Sequence, residues 1–243
     1  MTKDEAIKLK EFYKMINIKI KNLELLKMAL THRSFLNEYK RGNIEHNERL
    51  EFLGDAVLEL LVSRYLFDNY PDKPEGELTS FRAATVRTES LYEEAKRLNF
   101  GKYIFMSKGE DRTGGRSRPY ILANTFEAIV GCIYLDQGLT ATKKFLEKEL
   151  FYKIANIVDQ RLDIDNKSKL QEIAQEVLKE TPTYEVLSST GPDHSKIFKI
   201  KVLIKEKDFG HGKGASKQDA EQNAASSGLC NWKKLIAKHF GID

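Results

Sequence analysis

The sequence is poor in cysteine, has no long apolar run and carries almost no excess of one charge. Only Cys132 and Cys230 occur, far apart and in no CxxC pattern. A reducing compartment is the simplest reading, and a zinc site built on two thiolates would lack ligands. No stretch approaches the roughly 18–20 apolar residues of a membrane span, so no membrane association is expected. The opening residues, MTKDEAIKLKEFYK, contain neither an apolar core nor a small-residue cleavage site. No secretory signal is expected from them, which points to the cytoplasm. Lys and Arg total 40 against 36 Asp and Glu. Divided after Gln160, the chain holds 26 basic and 24 acidic residues, then 14 and 12, so each part carries +2. There is no basic tail, and any affinity for nucleic acid must come from how the cations are arranged.

What is present is the composition of a folded protein. The chain has 243 residues, 41% hydrophobic and 31% charged, with a mean hydropathy of −0.49. That excludes wholesale disorder and allows one large or two small cores. No internal repeat or low-complexity tract occurs.

Apolar residues recur at helical spacing from Asp4 to about Asp159, which predicts an all-α region. Helices are expected over 23–32, 47–69, 77–97, 119–136 and 139–158. A loop is expected over 107–119, marked by glycines and basic residues. A linker at 159–163 then leads into a second pattern. Residues 170–179 are helical in period, while Thr183–Leu187 and Phe198–Ile204 alternate like strands. A third strand should end at Gly210, Gly212 and Gly214, and a helix over 216–237 should follow. The expected architecture is mainly α: a helical domain over 1–158, then a small α-β-β-β-α domain over 164–238.

The chemistry is concentrated in His46-Asn47-Glu48-Arg49-Leu50-Glu51-Phe52-Leu53-Gly54-Asp55-Ala56-Val57-Leu58. Glu48, Glu51 and Asp55 are spaced by three and four, which stacks them on one helix face. Their apolar neighbours predict a helix buried around most of its girth. Like charges so placed repel one another, and partial burial raises the cost or drives protonation. Arg49 lies on another face and is poorly placed to offset them. Asn124 and Glu127 form a second such pair on an apolar helix. Oxygen donors without Cys or a useful His suit Mg²⁺ or Mn²⁺ rather than Zn²⁺. An exposed acidic face or a salt-bridge network remains open on spacing alone. A ferritin-like di-iron site is excluded, because no histidine follows a Glu by three residues.

HNERLEFLGDAVL (46–58) resembles the signature of ribonuclease III, an Mg²⁺-dependent endonuclease of double-stranded RNA. ALTHRS (29–34), PEGELTSFRA (74–83), the SKGEDRTGGRSRP loop and ILANTFEAIVGCIYLD (121–136) follow in the family's order. The resemblance implies a metal cluster of Glu51, Asp55, Asn124 and Glu127. Asp55 and Glu127 would be essential to hydrolysis, with Glu48 an outer acidic residue assisting RNA or a second metal. It implies Mg²⁺, with Mn²⁺ as a substitute, and a homodimer in which Phe52 lodges in a socket of the partner. Products with 5′-phosphates and two-nucleotide 3′-overhangs are implied, as is processing of ribosomal RNA precursors. The family usually has Asp where this chain has Asn124. An amide oxygen can still ligate Mg²⁺ but brings no charge, so weaker metal binding is expected. The alternative is a non-cleaving binder of double-stranded RNA.

The C-terminal region is similar to a double-stranded RNA-binding domain. The similarity rests on KSKLQE (167–172), Pro182-x-Tyr184, the turn Gly191-Pro192-Asp193-His194, and Gly212-Lys213-Gly214-Ala215-Ser216-Lys217. Such a fold reads two minor grooves of A-form RNA and the phosphates between them. The resemblance sets Ser168, Gln171, Glu172 and Gln175 against one minor groove and His194 in the other. Lys213, Ser216 and Lys217 would hold phosphates at a helix N-terminus, where free N–H groups favour anions. In the helical region, Arg112, Arg116 and Arg118 are candidate phosphate contacts beside an acidic cleft.

Overall fold

A computed structural model describes residues 1–38, 45–160, 165–191 and 196–241. The chain divides into two compact units, Met1–Asp163 and Ile164–Asp243. The first holds α1 (Lys3–Met15), α2 (Leu23–Ala29), α3 (Glu48–Asn69), α4 (Glu75–Val86), α5 (Thr88–Arg97), α6 (Lys108–Arg112), α7 (Pro119–Gln137), α8 (Leu139–Glu149) and α9 (Ile154–Gln160). The second holds α10 (Asn166–Leu178), β1 (Thr183–Thr190), β2 (Ile197–Ile204), β3 (Lys207–Gly214), α11 (Lys217–Cys230) and α12 (Trp232–Phe240).

Local chemistry sets several of these ends. Thr2 and Glu5 form a reciprocal capping box at the start of α1. Asn22 caps α2 by accepting from the Leu25 amide. Pro119 opens α7 at its first position, where a missing N–H costs nothing, and Gly138 ends it. In the first unit α7 is the central element, buried along most of its length, and α3 and α5 pack on it.

Several expectations need correction. The helix expected over 77–97 is two, because Arg87 leaves the helical region with ψ of 153°. The break lets α4 bury Phe81 and Ala84 while α5 turns Leu91 and Ala95 inward. The helix expected over 139–158 is likewise broken, at the fully buried Leu150. The 107–119 loop contains α6 and a 3-10 turn at Gly115–Ser117. Nor is α3 buried around its girth: Phe52, Leu60 and Phe67 stand exposed.

In the second unit the three strands form an antiparallel sheet in the order β1-β2-β3. Ile200, Val202 and Ile204 of β2 are buried, with Lys199 and Lys201 on the other face, as alternation requires. Leu170 and Ala174 of α10, with Ala220 and Ala224 of α11, complete this core. The single helix expected over 216–237 breaks at Asn231. The break folds α12 back, so that Trp232 and Phe240 pack on Phe209 at ring separations of 5.5 and 6.1 Å.

A buried ionic cluster ties α5 to α8. Arg97 donates to Glu94 and to Glu149, each at 2.6 Å, and Lys153 lies 2.7 Å from Glu94. Burial alone would raise both carboxyls. The hydrogen bonds to Glu94 from Lys153, Tyr152 and Arg97, and to Glu149 from Lys148 and Arg97, overcome it and hold both below the usual range. A depressed folded-state value gives stability that is present above the unfolded carboxylate range and is lost as pH falls through the folded value. Arg97→Met should therefore cost about 2 kcal/mol at neutral pH, the buried-pair penalty reduced for the half-exposed arginine. The gap from wild type should narrow in acid, as denaturant unfolding at neutral and acidic pH will read.

Candidate active site and RNA-binding surface

The site begins where α3 and α7 cross. A Cβ on Gly54 would lie 1.8 Å from the backbone oxygen of Glu127, and one on Gly131 would lie 2.4 Å from that of Leu50. No other residue type fits either position, so the two helices meet backbone to backbone. Glu51 and Asp55 flank Gly54 on α3, and Asn124 and Glu127 lie on the adjoining turns of α7. The contact between the two rows is direct: Asn124 Nδ2 donates to Glu51 Oε1 at 2.9 Å.

The electrostatics follow from this crowding. Burial pushes the Glu127 carboxyl up to about 8, with the Asp55 and Glu51 carboxylates adding to the rise. Glu51 is also raised, by burial first and by Glu48 and Asp55, against the opposing pull of the Asn124 amide. Among the described residues no Lys, Arg or His forms an ion pair with Glu51, Asp55 or Glu127. Among the described residues, the salt-bridge network that spacing left open does not form around these three carboxyls. Among the described residues Glu48 has a cationic partner, Arg33 at 3.7 Å, and the imidazole of His46 lies 3.8 Å from it.

Among the described residues no three His, Cys, Asp or Glu side chains are already closed around a point where an ion could sit. The donor set nonetheless fits a hard divalent cation: oxygen atoms only, from the exposed Asp55 and the partly buried Glu51, Asn124 and Glu127, mutually repelling and, among the described residues, without a protein counter-charge. Of these groups, Asn124 has its Nδ2 turned to Glu51, which leaves Oδ1 as the atom it could offer a cation.

A cleft of about 610 Å³ opens beside the crossing, lined by His32, Arg33, Asn47, Glu48, Glu51 and Asn124 among others. Asp55 and Glu127 are not in its lining; they lie one helical turn farther along the same two helices. His32, Arg33 and Asn47 were not singled out from sequence as site residues, although ALTHRS and HNERLEF were read as motifs. The three arginines of the 107–119 segment separate. Arg116 donates to Asp111 and to the carbonyls of Gly101 and Ile104. Arg118 donates to Glu110 and Thr113. Both staple the segment, whereas Arg112 is exposed.

Phe52 is 81% exposed and lines a hollow of about 650 Å³ in which Leu25, Met28, Leu53 and Leu135 supply the apolar wall and Glu48 and Arg49 a charged one. In the second unit, Ser168, Gln171, Glu172 and Gln175 form one exposed face of α10. The start of that helix is tied to α11 by Gln222 Nε2 donating to Asp165 at 2.7 Å and Lys167 pairing with Glu221 at 2.6 Å. Ser216 caps α11 by accepting from the Asp219 amide, and Lys213 and Lys217 stand exposed around it. His194 lies outside the described residues.

Residues 22–154 match a family profile described as Ribonuclease-III-like, and residues 166–231 match the double-stranded RNA binding motif. A protein named Ribonuclease 3 from Listeria monocytogenes serovar 1/2a is 46% identical over 93% of this chain and 97% of its own. The Ribonuclease 3 of Geobacillus kaustophilus is 47% identical over 91% of this chain and 90% of its own. Among solved structures, the nuclease domain of ribonuclease III from Campylobacter jejuni superposes with a TM-score of 0.54 at 39% identity, covering 58% of this chain and 95% of that one. In that domain a region involved in dimer formation is described as structurally flexible.

The crossing can be tested with alanines. Gly54→Ala should cost about 3 kcal/mol, since the new Cβ forces the helices apart. Gly76→Ala, whose Cβ would meet nothing within 4 Å, should stay within about 1 kcal/mol of wild type. Thermal unfolding of the two variants measures the contrast.

Proposed function

The chain belongs to the ribonuclease III family, and from that premise we propose that its endonucleolytic cutting of double-stranded RNA depends on Mg²⁺ held by Glu51, Asp55, Asn124 and Glu127. The observation that carries this reading is the meeting of α3 and α7, which opposes three carboxylates and an amide with no protein cation among them. Mn²⁺ would substitute, being another hard ion that accepts oxygen ligands. When bound, the metal supplies an activated water and neutralises charge on the phosphate and the leaving oxygen. The chain's own residues fix where that happens. Asp55 and Glu127 are the essential carboxylates, and Glu48 stands outside them. The Glu127 carboxyl, pushed up to about 8 by burial, would have to be deprotonated to hold the ion.

The second unit binds the duplex. Ser168, Gln171, Glu172 and Gln175 are assigned to one minor groove, His194 to the next, and Lys213, Ser216 and Lys217 to phosphates. In the helical unit Arg112 is the arginine of its segment with its charge exposed to RNA. The protein would act as a homodimer, the exposed Phe52 of each copy entering the hollow of its partner. Two sites so paired would cut both strands and leave 5′-phosphates and two-nucleotide 3′-overhangs. Ribosomal RNA precursors and other structured transcripts in the cytoplasm are the proposed substrates. The exposed, unpaired Cys230 suits a reducing compartment. Among the described residues no helix is long and apolar enough to cross a membrane.

The hydrogen bond from Asn124 to Glu51 favours a second reading, in which Asn124 orients Glu51 without ligating and the protein binds duplexes but cuts them poorly. Asn124→Asp decides. As a ligand position it should lower the Mg²⁺ concentration for half-maximal cleavage about tenfold, or roughly 1.4 kcal/mol. As an orienting position it should destabilise the fold and leave the Mg²⁺ dependence unchanged.

The main reading is tested on a perfect RNA duplex with and without Mg²⁺. Wild type should cut only with the ion, and Glu127→Gln should cut at least about a hundredfold more slowly with duplex binding intact. The half-maximal Mg²⁺ concentration should fall as pH rises toward about 8, where Glu127 loses its proton. Near wild-type cleavage by Glu127→Gln contradicts the assignment.

A further inference from the structure

Duplex RNA brings a row of negative charges to a cleft that is itself negative. A metal ion can neutralise the phosphate at the bond to be cut, but the flanking phosphates need a cation of the protein's own. Among the described residues that line the cleft, Arg33 is the one Lys or Arg. Arg116 and Arg118, the nearest alternatives in sequence pattern, are engaged with the carbonyls of Gly101 and Ile104 and with the carboxylate of Glu110. Glu110, the other carboxylate in the cleft lining, is already neutralised by Arg118 at 2.6 Å.

Arg33 combines a fixed backbone with a free side chain. On one side of it, the buried Thr31 hydroxyl donates to the Lys27 carbonyl at 2.7 Å, and the Thr31 carbonyl accepts from the Asn47 backbone N–H at 2.9 Å. The His32 amide donates to the Phe105 carbonyl at 2.9 Å. On the other side, the buried Ser34 hydroxyl accepts from the Ser107 amide at 3.1 Å. Between these anchors the Arg33 side chain is 74% exposed, and its ion pair with Glu48 is long, at 3.7 Å, with Glu48 half exposed. An exposed pair at that separation is weak and gives way readily to a better partner. A phosphate offers one, because it accepts two parallel hydrogen bonds from the planar guanidinium.

We propose that Arg33 is a phosphate-binding residue of the cleft: its guanidinium rests on Glu48 in the free protein and exchanges that carboxylate for an RNA phosphate flanking the bond to be cut. The inference rests on the assignment of cutting to the first unit. It also gives Glu48 a second task, holding the arginine at the rim until a duplex arrives.

The test uses the full chain and a short synthetic RNA duplex. Arg33→Ala should raise KM about tenfold and change kcat by less than about twofold, since uniform binding is lost and the reacting groups are untouched. Without divalent metal, the slope of log Kd against log salt should fall by about one unit, the signature of one lost phosphate contact. Arg33→Lys should restore the salt slope, because the charge is kept, but only part of KM, because an ammonium lacks the guanidinium's fork. The melting temperature of both variants should equal that of wild type. Arg33→Ala with wild-type KM and salt slope would overturn the assignment while leaving the nuclease reading in place. A lower melting temperature and lower kcat with the salt slope unchanged would also overturn it, by showing a structural residue. Failure of the wild type to cut would instead contradict the nuclease reading, and the salt slope would still decide on Arg33.

Discussion

The backbone contact between α3 and α7 at Gly54 and Gly131 is the constraint on which the rest of the first unit depends. With a Cβ on Gly54 only 1.8 Å from the Glu127 carbonyl, the helices could not approach as they do. Glu51 and Asp55 would then no longer face Asn124 and Glu127. The hydrophobic core holds the crossing closed: Leu50, Val57 and Leu58 of α3 are buried with Ala123, Ala128 and Ile129 of α7. Apolar burial thus supplies the stability against which the carboxylates are pressed together.

The same molecule treats two groups of acids, one buried and one partly buried, in opposite ways. Glu94 and Glu149 are surrounded by Arg97, Lys148 and Lys153, and their carboxyls are held low. Among the described residues Glu51 and Glu127 have no such cations, and their carboxyls are pushed up. The first arrangement is complete in the free protein. The second has its negative charge unanswered and its one internal donor, Asn124, bonded to a single oxygen. A site left in that state is poised for a cation from solution, and the contrast within one chain makes the reading stronger than acidity alone would.

Much of this was legible from residue spacing. The three- and four-residue intervals among Glu48, Glu51 and Asp55 place them on one face of α3, and Asn124 and Glu127 share a face of α7. The alternation in β2 and the glycines that end β3 gave the second unit's order. What spacing could not reach was tertiary. Arg87 and Leu150 interrupt helices without a glycine or proline to announce it, because packing chooses the break. The exposure of Phe52, Leu60 and Phe67 contradicts an apolar pattern that reads as buried around most of the helix. Arg33 escaped notice because its relevance comes from a cleft assembled by residues far away in sequence.

The divalent-ion site proposed at the crossing of α3 and α7 can be tested in crystals grown with Mn²⁺ and measured at the manganese absorption edge. An anomalous peak is expected within ligating distance of carboxylate oxygens from Glu51 or Asp55 on one helix and from Glu127 on the other. Mn²⁺ bound only elsewhere, or no peak at a concentration that supports cleavage, would contradict it.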